Sequence, residues 1–392
     1  MDIGTWTKTP ATLVAAAAIA LTTAFPPGAG ANPVQQSADA VAPGVVAESS
    51  QSSWPTGGST DAALSSVEVL GSTNMPVGPL SSGPIGQRPA IDPDATPAVV
   101  DVNADPNHAG VQRWTIDSPA MGRSVDVQVV PATGAGPAPM LYLLDGVDAP
   151  ADSGWLHQSR VHDNPAFNDV TLVMPTGAGA SMYVDWYAND PVLGQNQWET
   201  FLVKELPPLL EHHDDLNHNG KRGIAGLSMG AGGAVTLANA NPGFYDAVAG
   251  ISGCYSTTSP AGRLMAHHIV NGAGGALVNL YGPSGADNWD RYNVAADPSG
   301  LADTAVYLSA SQGAFTPEEL EYFAERQFAG MVNGMALEWG AESCTRELDD
   351  AMHKAGMTHQ QVDVRPDGVH NWPNFTAALD RAWEAIGPAL RP

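Results

Sequence analysis

One serine in this chain has the surroundings of a covalent nucleophile. Gly226-Leu227-Ser228-Met229-Gly230 spells G-x-S-x-G, with the apolar run 223–227 before the serine and the small-residue stretch 230–240 after it. In that pattern the serine occupies a tight strand-to-helix turn, so its neighbours must be small, and the amide of Met229 opens a helix and can face a developing oxyanion. Without the flanking strand and helix, the same five residues would be only a glycine-rich turn packing a helix on a sheet. A serine hydroxyl is a weak nucleophile at neutral pH and needs an imidazole and an orienting carboxylate. In this setting the three follow the order serine, acid, histidine.

Five histidines follow Ser228: His267, His268, His353, His359 and His370. His267 and His268 fall in a surface helix, His353 in a charged helical stretch, and His359 just before the last strand. His370 alone follows that strand, in Gly368-Val369-His370-Asn371-Trp372-Pro373, ahead of a closing helix. It is therefore the expected base. The acid is less defined by pattern. Glu318, Glu319, Glu321, Glu325, Glu338, Glu342 and Glu347 all lie between, most with the look of helix-surface charges. Glu338 differs in its apolar neighbours Met335, Ala336, Leu337 and Trp339, which suit a buried carboxylate.

The elements that must position these groups begin near residue 110. Strands are expected at 125–130, 140–144, 170–174, 223–227, 247–251, 304–309 and 362–365. Helices are expected at 197–212, 230–240, 317–328 and 375–386. Strands alternating with helices imply a mostly parallel sheet covered on both faces, the α/β-hydrolase arrangement. Residues 109–392 would form that catalytic domain. Residues 32–108 are rich in Ser, Ala, Pro, Gly and Val, with Arg88 the one basic residue, and are expected to be a linker or cell-wall spacer. Residues 1–31 are expected to be an export signal: Lys8, an apolar run over 11–25, then the small-x-small site Ala29-Gly30-Ala31. That run is too short to span a bilayer, so no integral membrane segment is expected.

The formal net charge is -25, from 16 Lys+Arg against 41 Asp+Glu. Such a field repels nucleic acid. In an exported chain the two cysteines, Cys254 and Cys344, are expected to pair, and the bridge would tether the acid-bearing segment. Asp215-x-Asn217-x-Asn219-Gly220 opens like a calcium loop, but its twelfth position is Gly226, not the required glutamate. A polar turn is the better reading, with no metal or organic cofactor required by the chemistry.

Taken together, Leu143-Leu144-Asp145-Gly146, Met174-Pro175-Thr176-Gly177, Asp185-Trp186-Tyr187, Trp198-Glu199-Thr200-Phe201, the Ser228 segment and His370-Asn371-Trp372-Pro373 resemble the secreted mycolyltransferases of the antigen 85 type, over about 112–388. Met121-Gly122-Arg123 fits as well. The resemblance maps the family's serine to Ser228 and its histidine to His370. The family's glutamate, in a Leu-Glu pair 32 residues before that histidine, maps to Glu338. It implies oxyanion donors at the N–H groups of Met229 and Val147, and sugar contacts from Asp145 and Trp372. Trehalose mycolate-like glycolipids and cell-envelope glycans are the implied partners, with an acyl chain passing through a seryl ester. A monomer at the cell envelope is expected. Three departures stand out: Asp148 occupies the place of the family's sugar-gripping arginine, Gly230 a place where serine is common, and the pair Cys254 and Cys344 is not the usual family arrangement. The alternatives are a secreted carboxylesterase using water as acceptor and a non-catalytic envelope-binding protein.

Overall fold

The computed structural model describes residues 90–391 apart from 135 and 325–327. The expected leader and most of the expected linker lie outside these residues. Nine strands form one sheet: β1 (Ala98–Ala104), β2 (Gln112–Ser118), β3 (Arg123–Val130), β4 (Ala138–Leu144), β5 (Thr171–Pro175), β6 (His218–Leu227), β7 (Ala247–Ile251), β8 (Ala305–Ala314) and β9 (Gln361–Asp367). Their order is β1-β2-β3-β5-β4-β6-β7-β8-β9. β5, β4, β6, β7, β8 and β9 run parallel, and β3, β2 and β1 add an antiparallel edge. This is the α/β-hydrolase fold anticipated from the strand–helix alternation.

Five helices position or flank the site residues: α1 (Met229–Ala240), α2 (Pro260–Gly272), α3 (Pro317–Ala324), α4 (Phe328–Lys354) and α5 (Trp372–Ile386). Side chains of β4 alternate between the two faces. Met140, Tyr142 and Leu144 join one buried cluster with Val173, Ile224 and Val248; Leu141 and Leu143 join the other with Phe375, Leu379 and Trp383 of α5. A strand that is apolar on both faces is the mark of a parallel sheet covered on both sides.

Three expectations need correction. The linker was expected to run to residue 108, yet β1 lies inside it and pairs antiparallel with β2 from Ala98↔Asp117 to Ala104↔Gln112. All its residues but Val99 are exposed, so it has no buried face to pattern its sequence, and backbone bonds with one core contact from Val99 place it in the sheet. β2 was not anticipated, although its inward Trp114, Ile116 and Ser118 alternate with outward residues. Of the helix expected over 317–328, α3 covers Pro317–Ala324 and residues 325–327 lie outside the described ones, while Glu338 sits in the 27-residue α4. The helix expected over 197–212 contains a π turn, Phe201–Glu205, just before Pro207 and Pro208. Proline lacks the N–H for the regular ladder, and a widened turn ahead of it fits that loss.

Contact between the start of α1 and the end of β4 depends on missing side chains. A Cβ on Gly230 would lie 2.4 Å from the carbonyl oxygen of Asp145 and 2.5 Å from that of Leu144; one on Gly226 would lie 2.2 Å from the Gly230 carbonyl oxygen. These obstacles are backbone and cannot swing away. Gly230→Ala should therefore lose about 3 kcal/mol of stability, read as a lower urea midpoint. An unchanged midpoint would mean that α1 can lift off β4.

Candidate functional site

Ser228 stands between β6 and α1 with φ 54 and ψ -118. A positive φ on a residue with a Cβ is strained and persists only where the surroundings enforce it. Here the Ser228 N–H donates to the Ile251 carbonyl at 2.9 Å, and Gly226 and Gly230 make room on either side. The turn lifts the hydroxyl off the C-terminal end of the sheet, as the sequence pattern required.

His370 follows β9 in a short loop closed by the Asn371 side chain, which accepts from Asn374 N–H at 3.1 Å and caps α5. Its Nε2 lies 2.8 Å from Ser228 Oγ and its Nδ1 lies 2.9 Å from Glu338 Oε2. Because a carboxylate only accepts, the proton belongs on Nδ1, which leaves Nε2 to accept from the serine hydroxyl. Glu338 is fully buried; its other oxygen accepts from Ser252 Oγ at 2.6 Å and from Ser311 N–H at 2.8 Å. Sequence reasoning missed Ser252 and Ser311. Each lies at or just past the C-terminal end of a core strand, where site residues of such sheets collect, and that position was the available signal. The remaining histidines lie elsewhere: His353 Nδ1 contacts the Asp349 carbonyl oxygen and His359 Nε2 that of Leu301, while His267 is exposed on α2.

Cys254 and Cys344 form a disulfide with a Cα–Cα separation of 4.8 Å. Cys344 lies on α4, six residues past Glu338, and Cys254 lies two residues past Ser252. The bridge thus joins the segment that donates to the Glu338 carboxylate with the helix that carries it.

The segment after β4 lies against the nucleophile. A Cβ on Gly146 would be 3.7 Å from Ser228 Cβ, so the chain entering Val147 passes beside Ser228. Two bonds tie this stretch to the chain after β5: Asp145 N–H donates to Tyr183 Oη at 3.1 Å, and Val147 accepts from Ala180 N–H at 2.9 Å. The Asp145 carboxyl is fully buried, accepts from Gly154 N–H at 3.0 Å, and has its second oxygen without a partner among the described residues. Burial, with a smaller push from the charge of Asp148, raises it to about 8. The half-buried Trp372 lies beside it, edge-on to Trp155 at 5.5 Å between ring centroids. A cleft beside Ser228 is lined by Met182, Val184, Met229, Met265 and Ile269, with Ser256, Thr257, Tyr281 and Tyr292.

Other residues of the sequence pattern are structural. Asp185 accepts from Thr200 N–H at 2.9 Å and Thr200 Oγ1 at 2.6 Å, while Trp186 and Trp198 are buried core. In the calcium-like run, the expected turn covers Asp215 and Leu216 only; Asn219 and Gly220 already belong to β6, where Asn219 Oδ1 accepts from Lys221 N–H and its Nδ2 donates to the Leu390 carbonyl. Among the described residues, Asp105, His108 and Asp152 come within metal-ligand reach of one another. Their oxygens already accept from Arg113, from Gln128, and from the Asn107 and His108 amides.

A strand–turn–helix serine, a histidine beyond the last strand and a buried carboxylate on one sheet edge define a serine esterase or acyltransferase of the α/β-hydrolase class. The family model described as "Putative esterase" matches residues 118–386. The diacylglycerol acyltransferase/mycolyltransferase Ag85A of Mycobacterium leprae is 30% identical over 280 residues, 69% of this chain and 80% of that one. Ag85A of Mycobacterium bovis is 28% identical over 279 residues, 69% and 78% of the respective chains. Among solved structures, Mycobacterium tuberculosis MPT51 (FbpC1) superposes with TM-score 0.59 at 24% identity, covering 72% of this chain and 100% of that one. The chain belongs to the antigen 85-type esterase family.

Cys344→Ser should lower stability by about 2–5 kcal/mol and slow fluorophosphonate labelling of Ser228 by about 10- to 100-fold, as Glu338 loosens; equal stability loss with unchanged labelling would separate the bridge from the acid. Asp145, its pKa raised, contributes stability that is complete below about pH 4 and drains away as pH rises through 8. Asp145→Asn should therefore gain on the parent in urea midpoint from pH 5 to 8, and a constant difference would contradict the buried neutral acid.

Proposed function

We propose that this protein is a secreted serine acyltransferase that moves a mycolyl-type long acyl chain between trehalose esters and cell-envelope acceptors. The observation that carries this reading is the unbroken run from Ser228 Oγ through His370 to Glu338, at 2.8 and 2.9 Å. In the first half-reaction, Ser228 Oγ attacks the ester carbonyl while His370 Nε2 takes its proton, and Glu338 steadies the imidazolium. The N–H groups of Met229 and Val147 hold the oxyanion. Collapse expels the trehalose oxygen, which receives the proton from His370, and leaves the acyl group on Ser228. A hydroxyl of the second acceptor then reverses the sequence. The cleft lined by Met182, Val184, Met265 and Ile269 suits the start of an acyl chain. Trp372, with Asp145 behind it, would form the sugar end. The leader expected over residues 1–31 supports export, and among the described residues no helix is long and apolar enough to cross a membrane.

Hydrolysis is the second reading. Asp148 stands where the family resemblance places a sugar-gripping arginine, and a weaker grip on the acceptor sugar would leave the acyl-enzyme to water. Incubation with a monoacyl trehalose decides: diacyl trehalose should accumulate for transfer, free acid for hydrolysis. Ser228→Ala should lower either product rate by about a millionfold. A variant that retains product formation would remove the acyl-enzyme.

A further inference from the structure

The loop 368–371 that carries His370 is held by bonds from several elements, one for each amide. Gly368 N–H donates to the Ala314 carbonyl at 2.7 Å, and Gly368 in turn accepts from Gly313 N–H at 3.0 Å. Asn371 N–H turns back onto the Val369 carbonyl at 2.8 Å, within the loop itself. His370 N–H donates to the Gly334 carbonyl of α4 at 3.1 Å. The remaining amide, Val369 N–H, donates at 2.7 Å to Glu319 Oε1, a side chain from α3. Val369 is fully buried, so no solvent would replace that acceptor.

Glu319 is itself unusual for its place. With Thr316 it makes a capping box at the start of α3: Glu319 N–H donates to Thr316 Oγ1 at 3.2 Å, and Thr316 N–H donates to Glu319 Oε2 at 2.9 Å. Capping-box glutamates belong to exposed helix starts, with the second oxygen in water. This one is 1% exposed, and burial raises its carboxyl above the usual range. Burying an acid is costly, and a single helix cap returns only about 1 kcal/mol. The second oxygen has a further task, and its partner is the amide next to His370.

We propose that Glu319 is a positioning residue for His370, holding the backbone one residue before the imidazole and so setting where the ring stands between Ser228 and Glu338. The inference rests on His370 acting as the base for Ser228. The loop is then fastened from three helices: α4 reaches it through Gly334, four residues before Glu338 on the same helix, α5 through Asn374 Nδ2, which donates to the Val369 carbonyl at 3.0 Å, and α3 through the Glu319 carboxylate, which alone holds the Val369 amide. A misplacement of about 1 Å at a reacting group can cost on the order of 100-fold in rate, so a weak tether here has leverage on turnover.

Three variants of the full chain test it, with p-nitrophenyl butyrate as substrate and Ser228→Ala as the blank. Turnover by the parent protein tests Ser228 alone, and the ratio of variant to parent tests Glu319. Thr316→Ala removes the hydroxyl half of the capping box and leaves the Val369 bond; it should melt earlier and keep the parent kcat. Glu319→Ala should lower kcat by about 10- to 100-fold with KM within about twofold. Glu319→Gln, which keeps one acceptor oxygen, should fall between, and it decides the matter if the alanine variant does not fold. Parent-level kcat in Glu319→Gln and Glu319→Ala, an equal kcat loss in Thr316→Ala, or a change confined to KM would each overturn the proposal.

Discussion

The backbone conformation of Ser228 is the constraint on which the rest of the site depends. Its φ of 54 turns the chain from β6 into α1 within one residue, and that turn alone brings the hydroxyl above the sheet edge. The strain costs on the order of 1–3 kcal/mol. It is held by packing that admits no alternative: Gly226 against the Gly230 carbonyl, Gly230 against the end of β4, and the Ser228 amide bonded to Ile251. Because β4 is pressed so closely onto α1, the chain leaving β4 through Gly146 must pass beside the serine. One tight turn thereby places both the nucleophile and the backbone that flanks it.

The second organising feature is a buried acid that, among the described residues, is satisfied by hydrogen-bond donors and the His370 imidazole. Glu338 is fully buried, and its oxygens take bonds from His370, Ser252 and Ser311. Burying a charge in this way is unfavourable unless hydrogen bonds satisfy it, and three donors do so. Those donors come from the ends of β7 and β8 and from the loop after β9, so the acid is satisfied only when three parallel strands stand in register. The disulfide links α4 to the segment after β7, and the same helix meets the histidine loop through Gly334. Folding of the sheet and assembly of the triad are consequently one event.

Asp145 illustrates a different use of burial. Its carboxyl is pushed up to about 8, which makes it a group kept neutral near physiological pH, close to where the sugar end of the substrate is proposed to lie. A neutral acid can donate a hydrogen bond to a hydroxyl, which a carboxylate cannot. The Trp372 indole over Gly154 shields it, and any side chain at 154 would displace that ring, since a Cβ there would come within 2.1 Å of it.

Local pattern was enough for the elbow, for the histidine and for the fold class. G-x-S-x-G between a strand and a helix has one steric solution, and His370 is the one histidine between the last strand and the closing helix. The parallel core strands were legible because apolar residues on both faces leave an unbroken run. β1 was not, since an exposed edge strand is held by backbone bonds that leave no mark on side-chain pattern. Glu338 stood out only weakly by its apolar neighbours and needed the resemblance to be chosen, because a buried and an exposed glutamate on a 27-residue helix look alike until packing decides which face is covered. Ser252, Ser311 and Glu319 lie 86, 27 and 50 residues from the partners they bond. Sequence pointed to the groups proposed to react, because reactivity depends on residue type and local turn. Tertiary structure decided which groups hold them, because those contacts arise only where separate strands end at one edge of the sheet.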